Sequence, residues 1–522
     1  MKAWVKSRLR DPLFLIVFSS LTLAFFARLS IITHAMTHVD DIGPYAEIFI
    51  PKPSFWRVML DVTSYTQAPG QFILQYFAFH RAHDYDSILF WIRLPSHLIW
   101  LTGLFCYFFV FRKFFESKST GLVLFLMALA LSSWRGIVDS WQSYNYATLS
   151  VFVPLLFYFF SRVYSLNKDA YPSPERWKQL GLGFILGTTL WVNYSALLLV
   201  ASGFGCLIFF ILLYAESARK KILLKNLAFV GAGFLVSYVI IYKYSLRGVV
   251  FNGIPGWRGG MAPQGFIPKI QFWFEGWFYI IKNNTAFLPW NQGADLTGIF
   301  FYGLIVLGLF RLSFKNLDYG TKRFYVMLGG FILAWTYLAF FRFFPMSDTR
   351  HTYIFQFPVL MLIGFSLVRF KIPNGVYYAF SALVVSLSLY HFPQLYRNVE
   401  NKIDPKYLIQ LADENPDAVM MGIYNTVTWD PVLLTVERPD LKGRLLLSET
   451  YWKETLANPK INHLILVSHR RGLDDDNLKD LRSHGYTVFE NVKSIDPVGA
   501  IELSGTLNGG NGFYVYHTKK VP

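Results

Sequence analysis

The chain has 522 residues, of which 53% are hydrophobic, 19% aromatic and only 16% charged, well under the roughly 25% charge of soluble domains, which excludes an ordinary soluble globular protein. The net charge of +16 does not point to nucleic acid, because Lys and Arg fall in short clusters between apolar runs, as cytoplasmic anchors do.

A basic start over 1–10 leads into an apolar run at 12–33, longer than the roughly 7–15 residues of a signal-peptide core, so it is expected to stay as a first membrane helix. Arg28 falls toward its outer end, where it would balance Asp40 or Asp41. Further spans are expected at 92–112, 119–135, 145–163, 179–193, 195–215, 225–244, 297–313, 324–342, 352–369 and 375–391, each near the roughly 17–25 residues of one crossing. The stretch 180–217 is long for one helix and short for two. Basic loops at Arg112-Lys113, 162–178, Arg219-Lys220-Lys221, 311–323 and 369–371 share the side of residues 1–10 only if that stretch crosses twice, turning near Trp191-Val192-Asn193-Tyr194. Eleven spans result, with the N-terminus cytoplasmic and the C-terminal part outside. Cys106 and Cys206 lie within apolar runs, with no disulfide framework or metal spacing.

Two long outer loops follow from this topology, 33–91 and 245–297. Both are rich in Pro, Gly and aromatics, and pieces such as 266–281 are expected to be amphipathic helices lying in the interface. Trp257, Trp273, Trp277 and Trp290 suit headgroup level. Beyond about 393 the composition turns soluble. Strands are expected at 418–424, 461–468, 486–492, 500–503 and 513–516, with helices at 451–458 and 474–483. The expected architecture is therefore a polytopic α-helical membrane domain over 1–393 and an outer-face (periplasmic) α/β domain over 394–522. Asp474-Asp475-Asp476 reads as a solvated helix start rather than a metal site.

Chemistry concentrates in the first outer loop. Asp40 and Asp41 stand adjacent just past the first span, where carboxylates are costly unless solvated, paired or used. As a cap or wet loop start they would be unremarked. The same loop carries Asp61-Val62-Thr63-Ser64-Tyr65-Thr66-Gln67-Ala68-Pro69-Gly70-Gln71, and the next span opens Ile92-Arg93-Leu94-Pro95-Ser96. A carboxylate in a partly desolvated cleft deprotonates an incoming hydroxyl, and arginine offers a planar fork for phosphate oxygens. The bland reading of Arg93 is snorkelling to the interface. His34 and His38, one helical turn apart, outline a weak candidate for a divalent cation.

These motifs resemble the C-type integral-membrane glycosyltransferases, in particular the branch of the protein O-mannosyltransferases and lipid A aminoarabinose transferases. The acidic pair followed by Tyr45-Ala46-Glu47-Ile48 is similar to that branch's first-loop motif. Gln67-Ala68-Pro69-Gly70-Gln71-Phe72 stands in its second element, and Arg93-Leu94-Pro95-Ser96 matches the third closely. The Gly-rich stretch 181–199 resembles the fifth and sixth spans, and Arg350-His351-Thr352-Tyr353-Ile354-Phe355-Gln356-Phe357-Pro358 resembles the Arg-Tyr-to-Pro element near the end of the membrane part. Together they cover about 390 residues. The chain departs from the pattern where the family's second acidic residue is Glu, where the Pro-Pro-Leu element becomes Ala68-Pro69-Gly70, and where Tyr144 replaces an arginine of the fourth span.

The resemblance implies sugar transfer from a polyprenyl-phosphate donor to a hydroxyl of a lipid, glycan or protein acceptor at the outer face of the cell inner membrane, with inversion. Counting back from Tyr45-Ala46-Glu47 makes Asp41 the base; matching the doublet makes it Asp40, and both stay open. Arg93 and Arg350 are the candidates for the leaving phosphate, with His351 and Arg57 behind them and Tyr45 and Gln67 lining the donor site. The resemblance fixes no cofactor, though some members of the wider superfamily bind a divalent cation. The competing reading, a transporter or flippase of a lipid-linked saccharide, would show paired half-repeats, and none is seen.

Overall fold

The computed structural model describes residues 15, 18–19, 21–23, 26, 54–55, 69–83, 85–117, 119–133, 146–164, 176–243, 262–288, 294–341, 351–370, 372–399, 405–423, 430–469, 473–494 and 513–520. Four helical segments among them are long and apolar enough to cross a bilayer, Arg93–Phe115, Ala196–Tyr214, Arg219–Ile241 and Tyr319–Phe340. Four shorter apolar helices accompany them, Thr120–Ser132, Ala147–Val163, Ala294–Phe310 and Thr352–Val368. Phe105, Leu213, Val239 and Leu333 point outward from the bundle, as a lipid-facing surface requires. The chain is a multi-pass membrane protein.

The membrane part runs α1 (Pro69–Phe79), α2 (Tyr85–Phe115), α3 (Thr120–Ser132), α4 (Tyr146–Tyr158, prolonged by a π turn Phe159–Val163), α5 (Arg176–Val192), α6 (Ala196–Tyr214), α7 (Ser217–Ile241), α8 (Phe266–Thr285), α9 (Ala294–Phe310), α10 (Tyr319–Phe340), a 3-10 turn His351–Phe355, α11 (Gln356–Val368) and α12 (Asn374–Val399). The stretch 180–217 forms two helices. Asn193 breaks them: its side chain accepts from the Ser195 amide at 2.9 Å, and its carbonyl from the Ala196 amide at 3.1 Å.

Glycines set how α5 and α7 meet. A β-carbon on Gly183 would fall 1.8 Å from the Val230 carbonyl oxygen, one on Gly187 2.4 Å from the Ser237 β-carbon, and one on Gly233 2.0 Å from the Leu180 carbonyl oxygen. This is small-residue packing of the kind that lets membrane helices bring their backbones together. The register also advances in the same sense along both helices, and Trp191 donates to the Ser237 hydroxyl at 3.1 Å. So α5 and α7 are parallel, and α6 returns between them. Gly103 against Ser150 and Phe109 against Tyr158 make α2 and α4 parallel in the same way, with α3 as the return.

Basic residues gather at one end of the bundle. Arg162 lies over Phe114 and pairs with Asp318, the N-cap of α10, at 3.2 Å. Arg311 lies over Phe370, and the Arg369 guanidinium donates to the Gly308 carbonyl. Ser119, the cap of α3, donates to Asn374 at the start of α12. Phe210 against Tyr319 brings the end of α6 to the same place, so Arg219-Lys220-Lys221 follow there.

Residues 405–520 carry a five-stranded mixed sheet in the order β2-β1-β3-β5-β4, built from β1 (Val419–Ile423), β2 (Leu445–Leu447), β3 (His463–His469), β4 (Tyr486–Ser494) and β5 (Phe513–Lys520). β1 pairs in parallel with β2 and β3, while β5 runs antiparallel to both β3 and β4. Helices α13 (Pro405–Glu414), α14 (Asp430–Glu437), α15 (Ser448–Ala457) and α16 (Asp475–Ser483) accompany it. Asp474 caps α16, its side chain accepting from the Asn477 amide at 2.9 Å, which makes the acidic run a helix start. The short β2 has no counterpart among the expected strands, and the expected strand 500–503 lies outside the described residues.

Two ion-pair groups brace this unit. Arg438 binds Asp413 at 2.9 Å and Asp440 at 2.8 Å; hydrogen bonds from its guanidinium hold both carboxyls below their ordinary 3.8. Partial burial would raise the Asp417 carboxyl, but the hydrogen bond from His463, a backbone hydrogen bond and the nearby Lys519 together outweigh it and the net shift is downward. Helix α14 rests against α2, joining the sheet unit to the membrane helices.

Candidate functional site

Helix α2 is 31 residues long, about 46 Å, so it outreaches a hydrocarbon core of about 30 Å. Its last turn carries Arg112 and Lys113 at the basic end, and Arg93 therefore stands toward the opposite rim. The Arg93 side chain is wholly buried, as are Ser96, His97 and Trp100 on the next two turns. The His97 and Trp100 rings lie 5.6 Å apart. An arginine enclosed in protein is not snorkelling. Ionisable groups held this way in membrane proteins face a bundle interior or cavity and mark functional sites.

Below this rim lies a polar layer. Helices α3 and α11 each have 13 residues, about 20 Å of helix, too short to cross the bilayer core alone. Both have one end at the basic face, so their other ends, Ser133 and Gln356, stop at membrane depth. Backbone and side-chain polar groups there must be satisfied within the protein. Gln356 does this from both atoms of its amide: its nitrogen donates to the Ser133 hydroxyl at 2.7 Å, and its oxygen accepts from the Tyr107 hydroxyl at 3.2 Å. Tyr107 is 14 residues beyond Arg93 on α2, about 21 Å along the axis. The layer and Arg93 thus lie on one side of α2, with the buried Trp100 between them.

The layer continues through Thr352 to the end of α8. Lys282, Asn283, Asn284 and Thr285 are all buried there. The Asn284 amide donates to the Thr352 carbonyl at 2.9 Å and to the Ile280 carbonyl at 2.8 Å, and the Asn283 amide donates to the Thr352 hydroxyl at 3.4 Å. Lys282 pairs with Asp295 at the start of α9. Trp277 meets the Phe355 ring edge-on at 5.2 Å, and Phe331 and Trp335 close on the same ring from α10. The expected interfacial piece 266–281 is the first part of α8. It exposes Phe266, Ile267, Ile270 and Phe274 and buries only its far end.

Of the residues singled out from the sequence, Arg93 is enclosed at the rim. His351 opens the 3-10 turn that carries Thr352, though its side chain lies outside the described residues. Asp40, Asp41, Tyr45, Arg57, Gln67, Arg350, His34 and His38 also lie outside them. Among the described residues, no group of three or more His, Cys, Asp or Glu is placed to hold a metal ion. Sequence reasoning passed over Tyr107, Ser133, Asn283 and Asn284. Asn283-Asn284-Thr285 has the form of a glycosylation sequon, yet all three residues are buried at a helix end. No local signal marks them: Tyr107 lies inside α2, and Ser133, Asn283 and Asn284 form a layer only where distant helices meet.

No protein family matches the chain, and no curated protein matches it. Among solved structures, ArnT from Cupriavidus metallidurans in the apo state aligns over 96% of this chain and 97% of its own at 14% identity, with a TM-score of 0.44. The same protein bound to undecaprenyl phosphate aligns over the same shares at 13% identity, with a TM-score of 0.43.

Proposed function

We propose that the chain is a C-type membrane glycosyltransferase, moving a sugar from a polyprenyl-phosphate donor to a hydroxyl of a lipid, glycan or protein acceptor. The observation that carries this reading is the enclosed Arg93. It stands within Arg93-Leu94-Pro95-Ser96 on the rim of a bundle whose neighbouring helices end in polar groups at membrane depth. A cation so placed suits the phosphate of a lipid whose tail stays in the bilayer.

In this scheme Asp41 or Asp40 takes the proton of the acceptor hydroxyl. The freed oxygen attacks the anomeric carbon from the face opposite the phosphate, and the bond between that carbon and the phosphate oxygen breaks with inversion. The charge left on the polyprenyl phosphate is met by Arg93 and Arg350, with His351 and Arg57 behind them and Tyr45 and Gln67 lining the sugar. His34 and His38 are the candidate holders for a divalent cation. The basic end of the bundle belongs in the cytoplasm under the positive-inside bias. This puts the rim, the first outer loop and the 394–522 unit on the outer face of the inner membrane, with eleven crossings in all.

The test is sugar transfer by purified protein from a polyprenyl-phosphate sugar, comparing wild type with Asp41→Asn and Asp40→Asn. One of the two is expected to lose on the order of 100- to 10,000-fold in turnover. Unchanged turnover in both removes the proposed base.

A further inference from the structure

We infer that α8 lies nearly flat in the leaflet on the rim side and draws the headgroup layer of that leaflet down to itself, so that the bilayer is thinner over α8 and α9 than beside α7. The partner is the phospholipid of that leaflet, whether or not the chain transfers sugar. Neighbouring helices fix the level of α8 above the basic end. Trp273 donates to the Thr336 hydroxyl at 3.1 Å, and Thr336 is 17 residues along α10 from Tyr319, about 25 Å above that end. Nine residues further on, a β-carbon on Gly298 would fall 2.9 Å from the Lys282 β-carbon; Gly298 is 12 residues from Phe310 on α9, about 18 Å above the same end. The two anchors differ by about 7 Å in level over about 14 Å of helix, so α8 runs closer to the membrane plane than to its normal.

The faces of α8 agree with that attitude. Phe266, Ile267, Ile270 and Phe274 are exposed along one side. Phe278, on the same side one turn after Phe274, meets Tyr302, which stands lower on α9, about 12 Å above the basic end. This side therefore turns toward the bilayer middle. Gln271 and Glu275 are exposed one turn apart on the adjoining side, the Gln271 amide donating to the Glu275 carboxylate at 2.8 Å. An apolar side in the acyl chains and a polar side toward headgroups is the division of a helix lying in the interface.

The level of that polar side is low. An outward carboxylate is costly against hydrocarbon. Glu275 lies within a turn of Trp273, and Asp295, whose side chain is 64% exposed, stands 15 residues from Phe310, about 22 Å above the basic end. On α7, by contrast, Val239 is exposed and apolar 22 residues after Ser217, about 33 Å up. One flat membrane cannot offer headgroups at the first level and acyl chains at the second. A leaflet that dips over α8 and α9 offers both, and bilayers thin in this way around short hydrophobic spans at modest cost. Helix α9 is such a span, with 17 residues or about 25 Å against a hydrocarbon core of about 30 Å.

The experiment attaches one nitroxide label at a time to the full chain in phosphatidylcholine vesicles, through Phe266→Cys, Ile270→Cys, Phe274→Cys, Gln271→Cys, Glu275→Cys or Val239→Cys in a Cys106→Ala, Cys206→Ala background. Collision rates with oxygen, which concentrates in acyl chains, and with a neutral nickel chelate, which stays in water, give the depth of each label. Labels at 266, 270 and 274 are expected to be oxygen-rich and at nearly one depth. Those at 271 and 275 should meet the nickel chelate several-fold more often than the label at 239, although α7 carries residue 239 further from the basic end. All six positions are exposed, and Ile267→Cys stands in for any apolar-side variant that does not fold. A depth change of about 12 Å from 266 to 274, the rise of an upright helix, would overturn the flat attitude. Oxygen-rich labels at 271 and 275, or a label at 239 as open to nickel as theirs, would overturn the dip. None of these outcomes bears on sugar transfer.

Discussion

Gln356 donates to the Ser133 hydroxyl at 2.7 Å across 223 residues of sequence, joining the inner ends of two helices that each stop short of crossing the membrane. Gln356→Leu should leave the Ser133 and Tyr107 hydroxyls without this partner in a buried layer. An unsatisfied buried group costs roughly 1–3 kcal/mol, so the detergent-solubilised protein is expected to lose about that much stability by thermal unfolding. Tyr107→Phe removes one bond and leaves the glutamine a spare acceptor, for a loss of about 1 kcal/mol. A leucine variant melting with wild type would show that the layer does not tie α3 to α11.

The α5–α7 contact carries its own control. Gly183→Leu and Gly233→Leu drive side chains into backbone on the facing helix, whereas Gly181 and Gly231 have nothing within 4 Å of an added β-carbon. The first pair should abolish folded protein in fluorescence-detected size exclusion, since even ordinary overpacking costs about 1–3 kcal/mol and here the helices must separate. The second pair should express as wild type. Equal behaviour of all four would refute the close parallel packing.

Acid should loosen the sheet unit in a defined window. The Asp413 and Asp440 carboxyls are held below their ordinary 3.8 by Arg438, so they favour the fold at neutral pH. That contribution fades as pH falls past the ordinary value and is gone below the depressed native one. The protection factors of the β1 and β3 amides, taken against the intrinsic exchange rate at each pH, should therefore fall on acidification through that range. Arg438→Gln should already show lower protection at pH 7 and lose little more in acid. A variant with the full acid response would assign it elsewhere.

Arg93 separates charge from geometry. Arg93→Met leaves an apolar chain of similar reach and should cut sugar transfer on the order of 100-fold or more, the scale of losing one transition-state donor. Arg93→Lys keeps the charge but not the fork, and should recover only part of that loss. Both are read as transfer rates at saturating donor, beside a folding control by size exclusion. Full activity in Arg93→Met would remove Arg93 from the phosphate site.

Much of the membrane part was legible in the sequence because long apolar runs and basic clusters act over whole segments. The expectation that 180–217 holds two helices followed from the charge of Arg219-Lys220-Lys221, and the two helices are there, broken at Asn193. Four of the five expected strands are apolar enough to show as runs; β3 is shifted by one or two residues and β4 and β5 run two and four residues longer, because pairing with a neighbour sets where a strand ends. Leu445–Leu447 has three residues and no alternation, so only its partner β1 makes it a strand. The polar layer stayed hidden for a different reason. Gln356, Ser133 and Asn284 are ordinary residues until distant helices bring their ends together, and no local pattern records that.

The place of β5 in the sheet has a consequence for biosynthesis. Residues 513–520 lie between β3 and β4 and supply the hydrogen-bonding partner of both. Until the ribosome has delivered them, β3 has a partner on one side only and β4 has none. The nascent chain must therefore wait with two open strand edges, the condition in which chains pair wrongly with one another. A chain cut short of residue 513 would therefore expose the facing edges of β3 and β4, and the sheet is complete only once residues 513–520 are in place.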